Sequence, residues 1–187
     1  MKLMREDYTV GALELAERLI GCTLVSNIDG VRTGGIINET EAYLGKEDRA
    51  AHVYRGRPEG RVRVIYGPGG FAYVYMVYGM HNCLNVVAEK EGVPHCVLIR
   101  GIHPTIGVDT MLERRGRKDG KGLTDGPGKL GQALGITRAH YGTDLTGELL
   151  YIEAGERVPV YATKRIGVDY AGEDAELLYR FTPQTPF

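Results

Sequence analysis

The sequence predicts an α+β fold: a single compact domain built around a curved, mostly antiparallel sheet with a few flanking helices. Three observations lead there. A chain of 187 residues is long enough for one domain with a substantial core. Its 43% hydrophobic and 25% charged content is that of an ordinary globular chain. Its strand-like and helix-like stretches do not follow the regular strand–helix–strand order that a parallel sheet requires.

Taken in order, residues 9–20 read as a helix, with Thr9 as its cap, an apolar stripe of Leu13, Ala16, Leu19 and Ile20, and Gly21 as its stop. Residues 22–28 and 31–43 read as a hairpin turning through Asp29-Gly30. A short helix is expected over 47–53, and strands over 72–78, 83–88 and 95–101, the last two joined through Glu89-Lys-Glu-Gly92. Residues 107–115 and 127–134 read as helices, and 149–153 and 158–166 as late strands. No repeat, low-complexity tract or long linker interrupts this order; the 27 glycines punctuate short elements.

Composition narrows the function classes. No apolar run approaches the roughly 18 residues of a membrane helix, so no membrane partner is expected. The opening Met1-Lys-Leu-Met-Arg-Glu-Asp7 has no apolar signal-peptide core. Cys22, Cys83 and Cys96 are odd in number and show no CxxC pattern, as in reduced, buried thiols of a cytoplasmic protein. His81, Cys83, His95 and Cys96 lack structural-zinc spacing, so neither a metal nor a cofactor is expected. The net charge is −1, but five arginines against one glutamate fall between positions 49 and 63, and six basic residues against three acids between 113 and 130. From residue 144 onward eight acids face four bases. Phosphate contact needs a local patch rather than a high overall pI, though solvated surface charge looks the same.

Three stretches can carry chemistry. Phe71, Tyr73, Tyr75 and Tyr78 fall within eight residues that run into Gly79, in a chain without tryptophan. Such a strand suits stacking or wedging of something planar, and equally suits an ordinary strand. Tyr75 and Tyr78 are three apart, so the turn at Gly79 is what lets Tyr78 project; Asn85 follows in the next strand and can present an amide to a base edge. In Asn38-Glu-Thr-Glu-Ala-Tyr43, alternation puts Glu39, Glu41 and Tyr43 on one face. Two carboxylates there fit either an exposed face or a wet cleft holding a partly desolvated base, with Arg100, at the end of the strand 96–100, as partner cation. Spacing does not choose between Glu39 and Glu41. Asp125-Gly-Pro-Gly-Lys129 fails the P-loop spacing and reads as a helix start with Pro127 at its first position, suited to one phosphate.

These residues resemble a known family. Glu39-Thr-Glu-Ala-Tyr-Leu-Gly45, Asp48-Arg-Ala-Ala-His52, Tyr73-Val-Tyr-Met-Val-Tyr-Gly-Met80, Cys83-Leu-Asn85, Val97-Leu-Ile-Arg100 and Gly126-Pro-Gly-Lys-Leu130 stand in the order seen in alkyladenine (3-methyladenine) DNA glycosylases of the mammalian type. The likeness spans about residues 10–181, and six blocks in order are highly specific. It implies a partly barrel-like sheet and an enzyme of base excision repair that flips a damaged purine from double-stranded DNA and hydrolyses its N-glycosidic bond. By the same resemblance, Glu41 is the general base and Arg100 helps hold its water. Tyr43, His52 and Tyr75 sandwich and read the flipped base, and Asn85 discriminates against the guanine amino group. Tyr78 is the wedge. Met80 and His81 lie where the backbone is gripped, and Arg57, Gly126 and Lys129 fall near phosphate-contacting segments. The chain departs from the common pattern at 57–63 and at Asn82. A monomer without cofactor is expected, acting by hydrolysis alone. Two other readings remain at this level: a hydrolase of free nucleosides, which needs no wedge, and a damage-binding module, which needs no Glu41.

Overall fold

An eight-stranded antiparallel sheet organises the computed structural model, which describes residues 1–187. Helices α1 (Arg5–Tyr8) and α2 (Ala12–Leu19) lead into strands β1 (Thr23–Ile28) and β2 (Val31–Tyr43). Strands β3 (Ala72–Val77), β4 (His81–Ala88) and β5 (His95–Ile106) follow, then helices α3 (Val108–Arg115) and α4 (Pro127–Ala133). The chain closes with β6 (Leu150–Glu153), β7 (Val160–Thr163) and β8 (Arg180–Pro183). The strand order is β3-β4-β5-β2-β1-β6; β8 pairs with β2 beyond the end of β1, and with β7. The expected α+β class and antiparallel sheet are what the structure has. The 13-residue β2 is its spine, pairing with β5 along one edge and with β1 and then β8 along the other.

Several boundaries differ from the expectation. Thr9 does not cap the long helix: its hydroxyl donates back to the Arg5 carbonyl at 3.0 Å and its N–H to that of Glu6, closing α1 so that α2 restarts after Gly11. The helix expected over 47–53 is reduced to one 3-10 turn, Gly45–Glu47. Asp48 takes the amides of Leu44 and Ala50 onto its carboxylate, a local side-chain bond that competes with helical pairing. The strand expected over 158–166 stops at Thr163, because Arg165 turns inward to meet Asp48. Strand β8 was not expected at all; it is short and ends on proline. β5 runs on to Ile106, so Arg100 sits in mid-strand rather than at an end. There the β2–β5 register slips: Ile37 faces Ile102, Glu39 faces Gly101 and Thr40 faces Ile99, leaving Asn38 and Arg100 as unpaired bulge residues.

The sheet is covered on both faces. Leu84 and Val86 of β4, Val97 and Ile99 of β5 and Ala72 and Val74 of β3 pack with α2 and α4 in the main core. The alternate residues Tyr73, Val87 and Cys96 form a second cluster with Ile65, Val53 and Ala51. Thr40 and Ala42 point to the main core, where the Thr40 hydroxyl donates to the Ala16 carbonyl, which sends Glu39, Glu41 and Tyr43 to the second face. Helix α4 comes close enough to β4 that a Cβ on Gly131 would overlap the Asn82 carbonyl, and one on Gly128 would press on His81. The hairpin leading into β4 is thereby anchored to α4.

Candidate active site

A cavity of about 620 Å³ opens on the second face of the sheet. Its walls bring together residues from five stretches: Tyr43 from β2, His52 from the turn after β2, Tyr73 and Tyr75 from β3, Asn85 from β4 and Arg100 from β5. At one rim stand Tyr78, His81, Gly126 and Lys129; at the other, Ile166 and Tyr170.

Glu41 lies directly beneath the floor. Its side chain is wholly shielded from water, so the wet cleft expected from sequence is dry at this point. Two hydrogen bonds and one ion pair hold the carboxylate: the Tyr43 hydroxyl donates to Oε2 at 2.8 Å, the Ile166 backbone N–H donates to Oε1 at 2.7 Å, and Arg100 Nε, whose hydrogen goes to Glu39, lies 3.5 Å from Oε1 as a counter-charge. Burial raises the Glu41 pKa; Arg100, the Ile166 amide and the Tyr43 hydroxyl oppose it, and neighbouring Glu39 adds to it. Glu39 is engaged differently, its Oε1 accepting from Arg100 Nε at 2.9 Å and Arg180 Nε at 2.6 Å. Burial works against the Arg100 charge, and Glu41 with Glu39 more than offsets it. Environment distinguishes the two carboxylates where spacing did not: Glu41 is buried below the cavity, and Glu39 bridges two arginines.

The aromatic walls are built by alternation on β3. Tyr73 and Tyr75 lie with ring centroids 5.4 Å apart, and the His52 imidazole meets Tyr75 edge-on at 4.5 Å. Tyr73 is part of the wall, and its hydroxyl lies 2.8 Å from His52 Nδ1. Burial, aided by Arg61, pushes the His52 pKa down to about 4. The residue keeps one edge open at the cavity mouth, which tempers that shift but leaves the ring neutral at pH 7. Burial pushes the Tyr43, Tyr73 and Tyr75 hydroxyls up, so all three remain protonated donors. Asn85 is buried and donates from Nδ2 to the Tyr73 carbonyl at 3.1 Å.

Val77 pairs with His81, leaving Tyr78, Gly79 and Met80 as the loop of the β3–β4 hairpin. Tyr78 is 90% exposed and Met80 69%. Gly79 takes φ +70°, and Tyr78 itself takes φ +52°, a left-handed conformation rare for a bulky side chain. Across the rim, the Gly126 amide donates to the Arg100 carbonyl at 2.9 Å, and Lys129 pairs with Asp125 at 2.7 Å. Arg57 lies exposed in the loop before the 3-10 segment Gly60–Tyr66 and does not line the cavity.

Sequence reasoning missed a second set. Asp48 and Arg165 form a buried two-pronged pair at 2.6 and 2.9 Å, and the Tyr170 hydroxyl donates to the Ala50 carbonyl at 3.0 Å. Asp48 lay inside a quoted motif without a role. The Ile166 contact is made by backbone, which no side-chain pattern could signal.

The sequence pattern of the methylpurine-DNA glycosylase family matches residues 6–185. A protein of Clostridium acetobutylicum provisionally named 3-methyladenine DNA glycosylase is 46% identical over 191 residues, covering 97% of this chain and 93% of the relative. A protein of the same name from Methanocella arvoryzae is 47% identical over 184 residues, covering 96% and 90%. Another, from Oceanobacillus iheyensis, is 45% identical over 180 residues, again 96% and 90%. These relatives are bacterial and archaeal, so the mammalian qualifier of the resemblance has no support from them. With the pattern spanning nearly every residue and identities well above 40%, this chain belongs to the methylpurine-DNA glycosylase family and is a DNA glycosylase.

Proposed function

We propose that the cavity receives an alkylated, and also a deaminated, purine flipped out of duplex DNA, and that Glu41 activates the water that hydrolyses its N-glycosidic bond. The observation that carries this is a fully buried carboxylate, held by Tyr43, Ile166 and Arg100, directly under a cavity walled by tyrosines and a neutral histidine. A carboxylate offers about four lone-pair sites. Two hydrogen-bond donors, with Arg100 beside them as a counter-charge, leave a site free for water, and reaching it requires the floor residues to part slightly as the base arrives.

A purine alkylated at N3 or N7 is cationic and already a good leaving group, so one base without a dedicated side-chain acid suffices. The ring faces of Tyr75 and Tyr43 favour an electron-poor base. Asn85 reads its edge, and the polar side of His52 lies beside it. Tyr78, exposed on the hairpin tip, fills the gap that the flipped nucleotide leaves, a use of the minor groove that kinks and unstacks a step. Met80 and His81 grip the backbone beside it, while Gly126, Lys129 and Arg57 meet phosphates. Lys129 is occupied by Asp125 at the rim and no other lysine lines the cavity, which supports hydrolysis without strand cleavage through a Schiff base. The enzyme works as a monomer on one lesion and needs neither metal nor cofactor.

The test is incubation with a duplex carrying one hypoxanthine or one methylated purine, followed by alkali to reveal abasic sites. Strand breaks only after alkali, lost in Glu41→Gln with duplex binding kept, are expected. Release from free nucleosides alone would make it a nucleoside hydrolase. Binding without cleavage by the wild type would make it a damage-binding module.

A further inference from the structure

The Asp48–Arg165 pair is an odd thing to bury. Its side chains are 3% and 0% exposed, and Arg165 Nε is left without a partner. Taking two charges out of water is costly, and apolar residues of like volume often serve packing as well or better. What apolar residues cannot supply is direction. Arg165 makes four hydrogen bonds: Nη1 to Asp48 at 2.6 Å and to the Ala42 carbonyl at 2.9 Å, Nη2 to Asp48 at 2.9 Å and to the Asp174 carbonyl at 3.1 Å. Its guanidinium also lies over the Tyr43 ring, 4.8 Å from the centroid. Apart from Asp174, these partners adjoin the residues of the catalytic floor. Ala42 separates Glu41 from Tyr43, and the next residue after Arg165 is Ile166, whose amide donates to Glu41. Asp48 in turn fixes the turn that carries His52, through the amides of Leu44 and Ala50.

We infer that Arg165 and Asp48 are positioning residues for the general base: their buried pair pins the Ile166 amide onto Glu41 and holds the Tyr43 ring so that its hydroxyl reaches the same carboxylate. The inference rests on the reading of Glu41 as the base. The chain of contacts is short and each link is directed, so loosening the pair removes donors from Glu41 rather than merely softening the fold. Glu41 then becomes harder to ionise, because its remaining surroundings are Glu39 and Tyr43 on β2, Arg100 on β5, Tyr75 on β3, Tyr170 beside Ala50, and Arg180 behind Glu39 on β8. Among these only Arg100 opposes burial strongly, and it is shared with Glu39.

The experiment is the pH dependence of single-turnover cleavage of a duplex carrying one hypoxanthine, with binding to a duplex bearing an abasic-site analogue measured alongside. Arg165→Lys keeps the positive charge but gives up the two-pronged geometry. A hydrogen bond to a charged group is worth enough that its loss moves a pKa by roughly one unit. The acidic limb of the rate profile is therefore expected to move up by about one pH unit, with the binding constant unchanged. Ile166→Pro deletes the amide hydrogen itself, on a residue whose side chain is exposed, and should move the limb the same way. It carries the test if Arg165→Lys does not fold. A folded variant with a lower rate and an unmoved limb overturns the inference and makes the pair purely structural. Glu41→Gln run in parallel separates the two levels: if it still cleaves, the reading of Glu41 falls and this inference with it, whereas an inactive Glu41→Gln beside unmoved limbs overturns the positioning role alone.

Discussion

The floor of the cavity and the tip of the β3–β4 hairpin place side chains by opposite means. Glu41 is out of water and held from three directions by a side chain two residues away, a backbone amide 125 residues away and an arginine on the neighbouring strand. Tyr78 is 90% exposed, and what places it is the turn: Val77 pairs with His81, Met80 N–H reaches the Val77 carbonyl at 3.2 Å, and both Tyr78 and Gly79 sit at positive φ. The floor is over-determined, as a preorganised charge must be if it is to act without rearrangement. The tip carries local strain of order 1–3 kcal/mol instead. A bulky ring in that conformation costs stability while staying 90% exposed, which fits the DNA contact proposed for it. Under the proposed roles, the difference means that catalysis and DNA engagement rest on separate supports and can be broken separately.

The largest effect is expected from Glu41→Gln. Removing a general base costs typically 10²–10⁴-fold, so cleavage of a duplex lesion should fall by about that factor while duplex affinity, measured by fluorescence anisotropy, stays close to wild type. A parallel loss of affinity would mean that floor and tip are not separable. Tyr78→Ala should do the reverse. Because unstacking a base step costs a few kcal/mol, loss of the wedge is expected to slow cleavage in duplex by roughly 10–100-fold and leave cleavage in single strands nearly unchanged. Equal losses on both substrates would remove the wedge role.

Two smaller effects sharpen the picture. Gly131→Ala would push a methyl into the Asn82 carbonyl, and overpacking of this kind costs about 1–3 kcal/mol. Its melting temperature should drop by several degrees, with duplex activity falling more than single-strand activity because the anchored hairpin shifts. The smallest effect concerns His52. Its pKa is held down near 4 in the folded protein against about 6.5 unfolded. Between those values the unfolded chain takes up a proton that the folded one does not, so stability falls as the pH drops through 6.5 towards 4 and is flat above 6.5. His52→Gln should lose stability less steeply over that window in a series of thermal melts. An unchanged slope would show that the exposed edge of the ring, not its buried side, sets its titration.

Much of this was legible in the chain. The Asp29-Gly30 hairpin formed as expected because both residues take the positive φ that a tight turn requires, and Asp and Gly allow it. Glu39, Glu41 and Tyr43 share one face because alternation in a strand is obligatory. The hairpin tip is likewise local: Gly79 marks it, and the expectation that Tyr78 projects there matches the structure. Less legible were elements whose boundaries depend on partners. Residues 47–53 failed to form a helix because Asp48 bonded its own neighbouring amides and then Arg165. Strand β8 exists only because β2 runs past the end of β1 and leaves an edge to be filled.

The sequence by itself determined the fold class, the face on which the carboxylates stand, the tip and the family, because periodicity, turn chemistry and motif order are properties of contiguous residues. Only the tertiary structure decided which carboxylate is the buried one, that Arg100 lies at a bulge between Glu39 and Glu41, and that Arg165, Asp48 and the Ile166 amide close around the floor. The reason is physical. Burial, and the pairing that burial demands, is set by what arrives from the far side of the chain, and a backbone N–H aimed at Glu41 from residue 166 carries no mark in the letters that encode it.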